Sequence, residues 1–175
     1  ANFRKPAFLE LNQSVVGNLR FDRNDTDAYE GLTGSAFAGI ERQFLEYWSI
    51  TAGPAFIYTD IQRSAGTDEG EQFLLGGART RLAYDSRDDK LNPTKGLDGS
   101  VGLSPFASMA LTSTQFAIAE AALAGYQGAL ESDRVVFAAR TRVGSIFGAS
   151  RSKVPASQRF YAGGGGSVRG YKYQS

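Results

Sequence analysis

Apolar and polar residues alternate along this chain with a period of two, in segment after segment. In residues 8–21 the odd positions carry Leu9, Leu11, Val15, Leu19 and Phe21, and the even ones carry Glu10, Asn12, Ser14, Asn18 and Arg20. Successive side chains of a β-strand point to opposite faces, so this pattern predicts a strand with one apolar face and one polar face. Residues 29–42 put Leu32, Ala36, Ala38 and Ile40 on a shared face. Residues 71–85 set Leu74, Ala78, Leu82 and Tyr84 against Arg79, Arg81 and Asp85, and residues 97–107 set Leu97, Val101, Leu103 and Pro105 against Asp98, Ser100 and Ser104. Residues 134–148 are equally clean, with Val135, Phe137, Ala139, Val143 and Phe147 opposite Arg134, Arg140 and Arg142. In residues 114–127 the pattern assigns no faces, because Phe116, Ile118 and Tyr126 share a parity with Glu120.

The segment 48–59 adds a length scale. Trp48, Ile50, Ala52, Pro54, Phe56 and Tyr58 share its even face. At roughly 3.3 Å per residue and a tilt near 45°, Trp48 and Tyr58 stand roughly 24 Å apart along a membrane normal, the height of an apolar membrane band. An amphipathic ring at each end of an apolar stripe is what two interfacial aromatic girdles require. A long strand in a soluble sheet is the competing reading of this one segment.

Seven such strands, joined by short polar connections, predict an antiparallel meander. A soluble sandwich would strand the arginines of one face, whereas a water-filled barrel lets Arg79, Arg81, Arg134, Arg140 and Arg142 face the lumen. The expected fold class is therefore all-β, an antiparallel transmembrane β-barrel. An open edge in lipid leaves backbone groups unpaired at several kcal/mol each, so seven strands are expected to be part of a larger barrel.

Composition narrows the chemistry. The formal charge is +1 and no run of Lys or Arg occurs, which argues against a nucleic-acid partner. Cysteine and histidine are both absent, removing disulfides, thiolate metal sites and the usual base of a hydrolytic triad. Ser167 accordingly has no histidine to activate it, and Asp22, Asn24 and Asp27 lack the spacing of a calcium loop. Neither an enzyme nor a bound metal or cofactor is expected. No apolar stretch reaches the roughly 18 residues of a membrane helix.

Four consecutive glycines, Gly163 to Gly166, then precede Ser167-Val168-Arg169-Gly170-Tyr171. A phosphate loop would need lysine where Tyr171 stands, and a dinucleotide fingerprint would need a helix that no pattern provides. A plain flexible linker explains the glycines but not the arginine and aromatics around them. The run from Arg159 through Gly163, Gly164, Gly165, Gly166, Val168, Arg169, Gly170 and Tyr171 to Tyr173 resembles the long sixth-loop signature of the bacterial surface antigen superfamily of outer-membrane assembly and translocation barrels. Asp85-Ser86-Arg87-Asp88-Asp89, with Asn92-Pro93-Thr94-Lys95-Gly96, is similar to a turn of the same superfamily. Val154-Pro155 ahead of Arg159 is most similar to its translocation and assembly module branch.

That resemblance implies a sixteen-stranded barrel preceded by periplasmic transport-associated domains, of which residues 1–175 would be the partial barrel domain alone, without those domains or the first and last strands. The chain would supply strands five to eleven and end in the sixth loop. Connections 43–47, 86–96 and 131–133 would then be periplasmic, and 22–28, 64–70 and 109–113 external. The implied role is insertion of β-barrel clients, autotransporters in particular, into the bacterial outer membrane. Implied partners are the lipid bilayer, client outer-membrane proteins and an inner-membrane or periplasmic assembly partner. Arg169 would fold into the lumen toward acidic or aromatic partners beyond residue 175. Two-partner secretion pores and barrels attached to patatin-like lipases carry a similar Arg-Gly-Tyr loop and remain alternatives, as does a soluble β-sandwich binding module.

Overall fold

The computed structural model describes residues 1–25, 29–64, 71–109, 114–129, 135–150 and 153–160. Among them eight strands form one sheet in chain order: β1 (Asn2–Pro6), β2 (Gln13–Asp25), β3 (Tyr29–Gln43), β4 (Trp48–Ser64), β5 (Glu71–Asp85), β6 (Lys95–Ser108), β7 (Gln115–Ala129) and β8 (Val135–Phe147). Every neighbouring pair is antiparallel, as short connections require. β1 and β8 are the sheet's edges.

The extra strand is β1, and it corrects the first segment of the sequence pattern. Residues 8–12 are not strand: β1 ends at Pro6, and the chain reverses through Ala7 and Leu9, which both have positive φ, at 52° and 64°. Phe8 and Gln13 close the reversal, the Phe8 amide donating to the Gln13 carbonyl at 3.0 Å. Leu9 and Leu11 continue the parity of Val15 by coincidence and sit exposed in the turn. β1 is held from a distance, because the Arg4 guanidinium donates to both carboxylate oxygens of Glu41 on β3, at 2.6 and 3.1 Å. Asp22 to Asp25, expected in a loop, instead complete the pairing of β2 with β3.

The two faces differ in kind. On one, Ile50, Leu82, Val101, Ala121 and Val143 form a continuous register row across five strands, with Phe56, Leu103, Leu123 and Phe137 among the exposed apolar residues of the same face. The other face carries the core: Ala55, Ile57, Leu75, Phe106 and Phe116 are buried together with Val154, which arrives after β8. This places the even positions of β7, left unassigned by the sequence, on the core-bearing face. A 3₁₀ turn, Ala156–Gln158, contacts β4 there. We call this the covered face and the other the bare face.

The turn between β5 and β6 is built around one carboxylate. Asp88 Oδ1 accepts the amides of Asp89, Thr94 and Lys95 at 2.9, 3.0 and 3.1 Å, and Oδ2 accepts the Thr94 hydroxyl at 2.6 Å. Asp89 Oδ1 accepts the amides of Leu91 and Asn92. Gly96 has φ +107° and no room for a Cβ, which would lie 2.3 Å from the Ser86 carbonyl oxygen. Beside it Arg87 forks onto both oxygens of Asp85 at 2.8 and 2.9 Å and reaches Asp98 at 3.4 Å.

The Thr94 hydroxyl, followed by the Lys95 amide, holds the Asp88 carboxyl well below its ordinary value of 3.8. A depressed carboxylate contributes stability that is present above that value and fades as the pH falls below it. In the full-length protein, the midpoint of heat unfolding followed by gel mobility should drop as the pH falls below about 4. Asp88→Asn should flatten that dependence, and an unaltered pH profile would show that the turn does not contribute.

Candidate functional site

The covered face is organised by what β8 leads into. Beyond Phe147 the chain folds back over the sheet: Val154 and Pro155 are buried, and Ser157 Oγ meets Thr59 Oγ1 of β4 at 2.9 Å. Thr59 is wholly buried and also faces Thr33 Oγ1 at 3.5 Å, so two strands and the returning segment share a hydroxyl cluster within an apolar core. Arg159 Nε donates to the Val154 carbonyl at 3.0 Å, closing the segment on itself. Phe160 lies over Gly144 of β8, where a Cβ would meet its ring at 2.4 Å. Only a residue without a side chain admits the ring at that depth.

Beside this segment opens a cleft of about 410 Å³. Arg79 and Arg81 of β5, Glu120 of β7, Arg142 of β8 and Arg159 of the returning segment all line it. The register explains the gathering. Arg81 pairs with Gly102, Gly102 with Glu120, and Glu120 with Gly144, so a single cross-strand row sets the carboxylate between two glycines. Arg142 stands in the adjacent row, opposite Ala122. Gly102 leaves space beside the carboxylate, Phe160 covers Gly144, and guanidinium groups from β5 and β8 line the cleft.

Satisfaction within the cleft is uneven. Arg81 Nη2 donates to Ser100 Oγ at 3.1 Å. Glu120 attracts Arg79 electrostatically. Neither Arg79 nor Arg142 donates a hydrogen bond to any described residue, and Arg79 is half-buried. Of the basic residues singled out from the sequence, Arg79, Arg81 and Arg142 thus come together, while Arg140 shares their face without lining the cleft. Arg134 and the loop residues Gly163, Gly164, Gly165, Gly166, Val168, Arg169, Gly170 and Tyr171 lie outside the described residues.

Glu120 and the returning segment were not legible as site components. Glu120 shared a parity with aromatic residues, and Val154 to Phe160 has no periodicity to read. Trp48 packs on Tyr84 with ring centroids 5.0 Å apart, and Tyr84 meets Tyr47 at 5.9 Å, forming an aromatic cluster at one rim. Tyr58 stands towards the other end of β4, exposed on the bare face in register with Leu74.

A meander with a continuous apolar bare face, rim aromatics, and a polar, cation-rich covered face entered by its own chain is a section of wall from an outer-membrane-type β-barrel. The chain belongs to the Omp85 superfamily, whose domain matches residues 1–175. Its fold is that of the barrel of BamA from Haemophilus ducreyi, solved without POTRA domains 1–3: TM-score 0.79 at 17% identity, over 99% of this chain and 37% of that one. The chain therefore spans just over a third of the length of that structure. No curated protein matches it in sequence.

Val154 is 2% exposed in the core, and Lys153 and Arg159 flank the docked segment as trypsin sites. Val154→Asp places a carboxylate in that core at a cost of about 2 kcal/mol or more. In the folded full-length protein, tryptic cleavage after Lys153 should quicken by roughly tenfold or more. An unchanged cleavage rate would mean that the segment is not held by this contact.

Proposed function

We propose that this chain is part of the barrel of a bacterial outer-membrane assembly factor of the TamA type, the outer-membrane subunit of the translocation and assembly module. In this reading the bare face meets lipid and the covered face lines the lumen. The observation that carries it is the returning segment. Val154 to Phe160 docks on the face that carries the arginines and runs into the signature that contains Arg169. A loop led inward at that point delivers its glycines and arginine to the lumen.

The work of such a barrel is to help insert other β-barrel proteins, autotransporters among them. The physics is that of strand addition. A barrel with a weak seam offers unpaired amide and carbonyl groups on which a client strand can pair, at a site where lipid is thinned. β2 to β7, paired on both sides, form the stiff wall opposite to such an opening rather than the opening itself. Partners in this reading are the bilayer, client outer-membrane proteins and a periplasmic or inner-membrane assembly component.

Two measurements test this reading. Trp48 is the chain's single tryptophan, so a full-length variant retaining it alone should show its emission quenched by phospholipids brominated near the headgroup more than by those brominated at the chain end. Insensitivity to both would remove the membrane assignment. Arg169→Ala in the complete protein should lower surface display of an autotransporter client by several-fold, since an ion pair broken on one side costs about 3 kcal/mol when buried. Undiminished display at equal protein level would exclude the role assigned to the loop.

A further inference from the structure

The cleft beside the returning segment carries more positive charge than the described residues neutralise. Arg79, Arg81, Arg142 and Arg159 line it against the single carboxylate of Glu120. Arg159 and Arg81 spend one donor each on the Val154 carbonyl and Ser100, and each keeps others free in the planar fork. Arg79 and Arg142 spend none on any described residue. Guanidinium groups arrayed in this way favour carboxylates, which they grip through two parallel hydrogen bonds.

Spacing chooses among anions. Arg79 and Arg81 stand on β5 and Arg142 on β8, three strand intervals away. At about 4.8 Å per interval their backbone positions stand roughly 14 Å apart, a span matched by a ligand that carries two separated carboxylates. An extended polypeptide advances about 3.3 Å per residue, so carboxylates four positions apart lie about 13 Å from each other. Between the two cationic ends, Gly102 of β6 carries no side chain beside Glu120 of β7, while Phe160 covers Gly144 at the β8 end.

We infer that this cleft is a binding site for an extended acidic stretch of polypeptide, held at one end by Arg79 and Arg81 and at the other by Arg142. The site rests on the lumenal reading of the covered face given above. Its ligand is an acidic stretch of a client in passage, not a segment built into the barrel wall. Glu120 sets a ceiling on affinity by opposing the same ligand it helps to frame, which suits a segment that must leave again.

The test uses the full-length protein in detergent and a fluorescent glycine-serine peptide carrying two glutamates four positions apart, read by anisotropy. The glutamate peptide should bind, and its glutamine counterpart should bind about tenfold more weakly or worse. Arg79→Gln with Arg142→Gln should cost a similar factor, Glu120→Gln should tighten binding, and inorganic phosphate at equal concentration should not compete. Equal binding of the two peptides, or an unaffected double variant, overturns the inference. Competition by phosphate makes it a small-anion site and also overturns it. Absence of binding to the unaltered protein shows that residues of the barrel itself occupy the cleft, with the same consequence. Quenching of Trp48 by brominated lipid reports the barrel separately, so a quenched barrel that fails to bind refutes this site and leaves the membrane assignment standing.

Discussion

Backbone pairing without interruption is the constraint on which everything else in this chain depends. A strand in hydrocarbon has no water to satisfy its amides and carbonyls, so each must find a neighbouring strand. β2 to β7 do so on both sides, in registers that run nearly the length of each strand. Once the registers are set, side chains fall on one face or the other with no freedom left. The apolar row from Ile50 to Val143 and the charged row from Arg81 through Glu120 are two outcomes of a single ladder. A slip of one residue would exchange them, placing guanidinium groups on the bare face.

The faces were legible in the sequence wherever both were distinct. β5, β6 and β8 were read with their faces correctly opposed, because Arg79 and Arg81, Asp98 and Ser100, and Arg140 and Arg142 contrast with bulky apolar neighbours. β7 resisted because the covered face is itself divided. Near one end it holds Phe116 in an apolar core, and further along it holds Glu120 in a cleft, so a single face carries both characters. Residues 8–12 misled for another reason: leucines in a turn kept the phase of the next strand, and only backbone dihedrals at Ala7 and Leu9 distinguish the two. The returning segment was invisible to periodicity, since its position depends on contacts with β4, nearly a hundred residues earlier.

Charge and packing divide the covered face between them. Where Val154 packs with Ile57, Leu75 and Phe106, water is excluded and the hydroxyls of Thr59 and Ser157 satisfy each other. Where the segment ends at Arg159 and Phe160, the surface turns polar and the cleft opens. The segment thus has two functions at once, filling one part of the interior and bounding another. The Asp88 turn and the Tyr47, Trp48 and Tyr84 cluster stand together at one end of the sheet.

The contact between Thr59 and Ser157 links residues 98 positions apart, across four intervening strands. Contacts of such separation form late, after local hairpins have shortened the loop that must be closed. Phe160, moreover, has no seat until β8 has paired with β7 and presented Gly144. The segment therefore closes only over a finished stretch of wall, and its docked state is a record that β4 to β8 have assembled in register. Docking of the segment thus rests on the wall beneath it, since its contacts need Thr59 of β4 and Gly144 of β8 both in place.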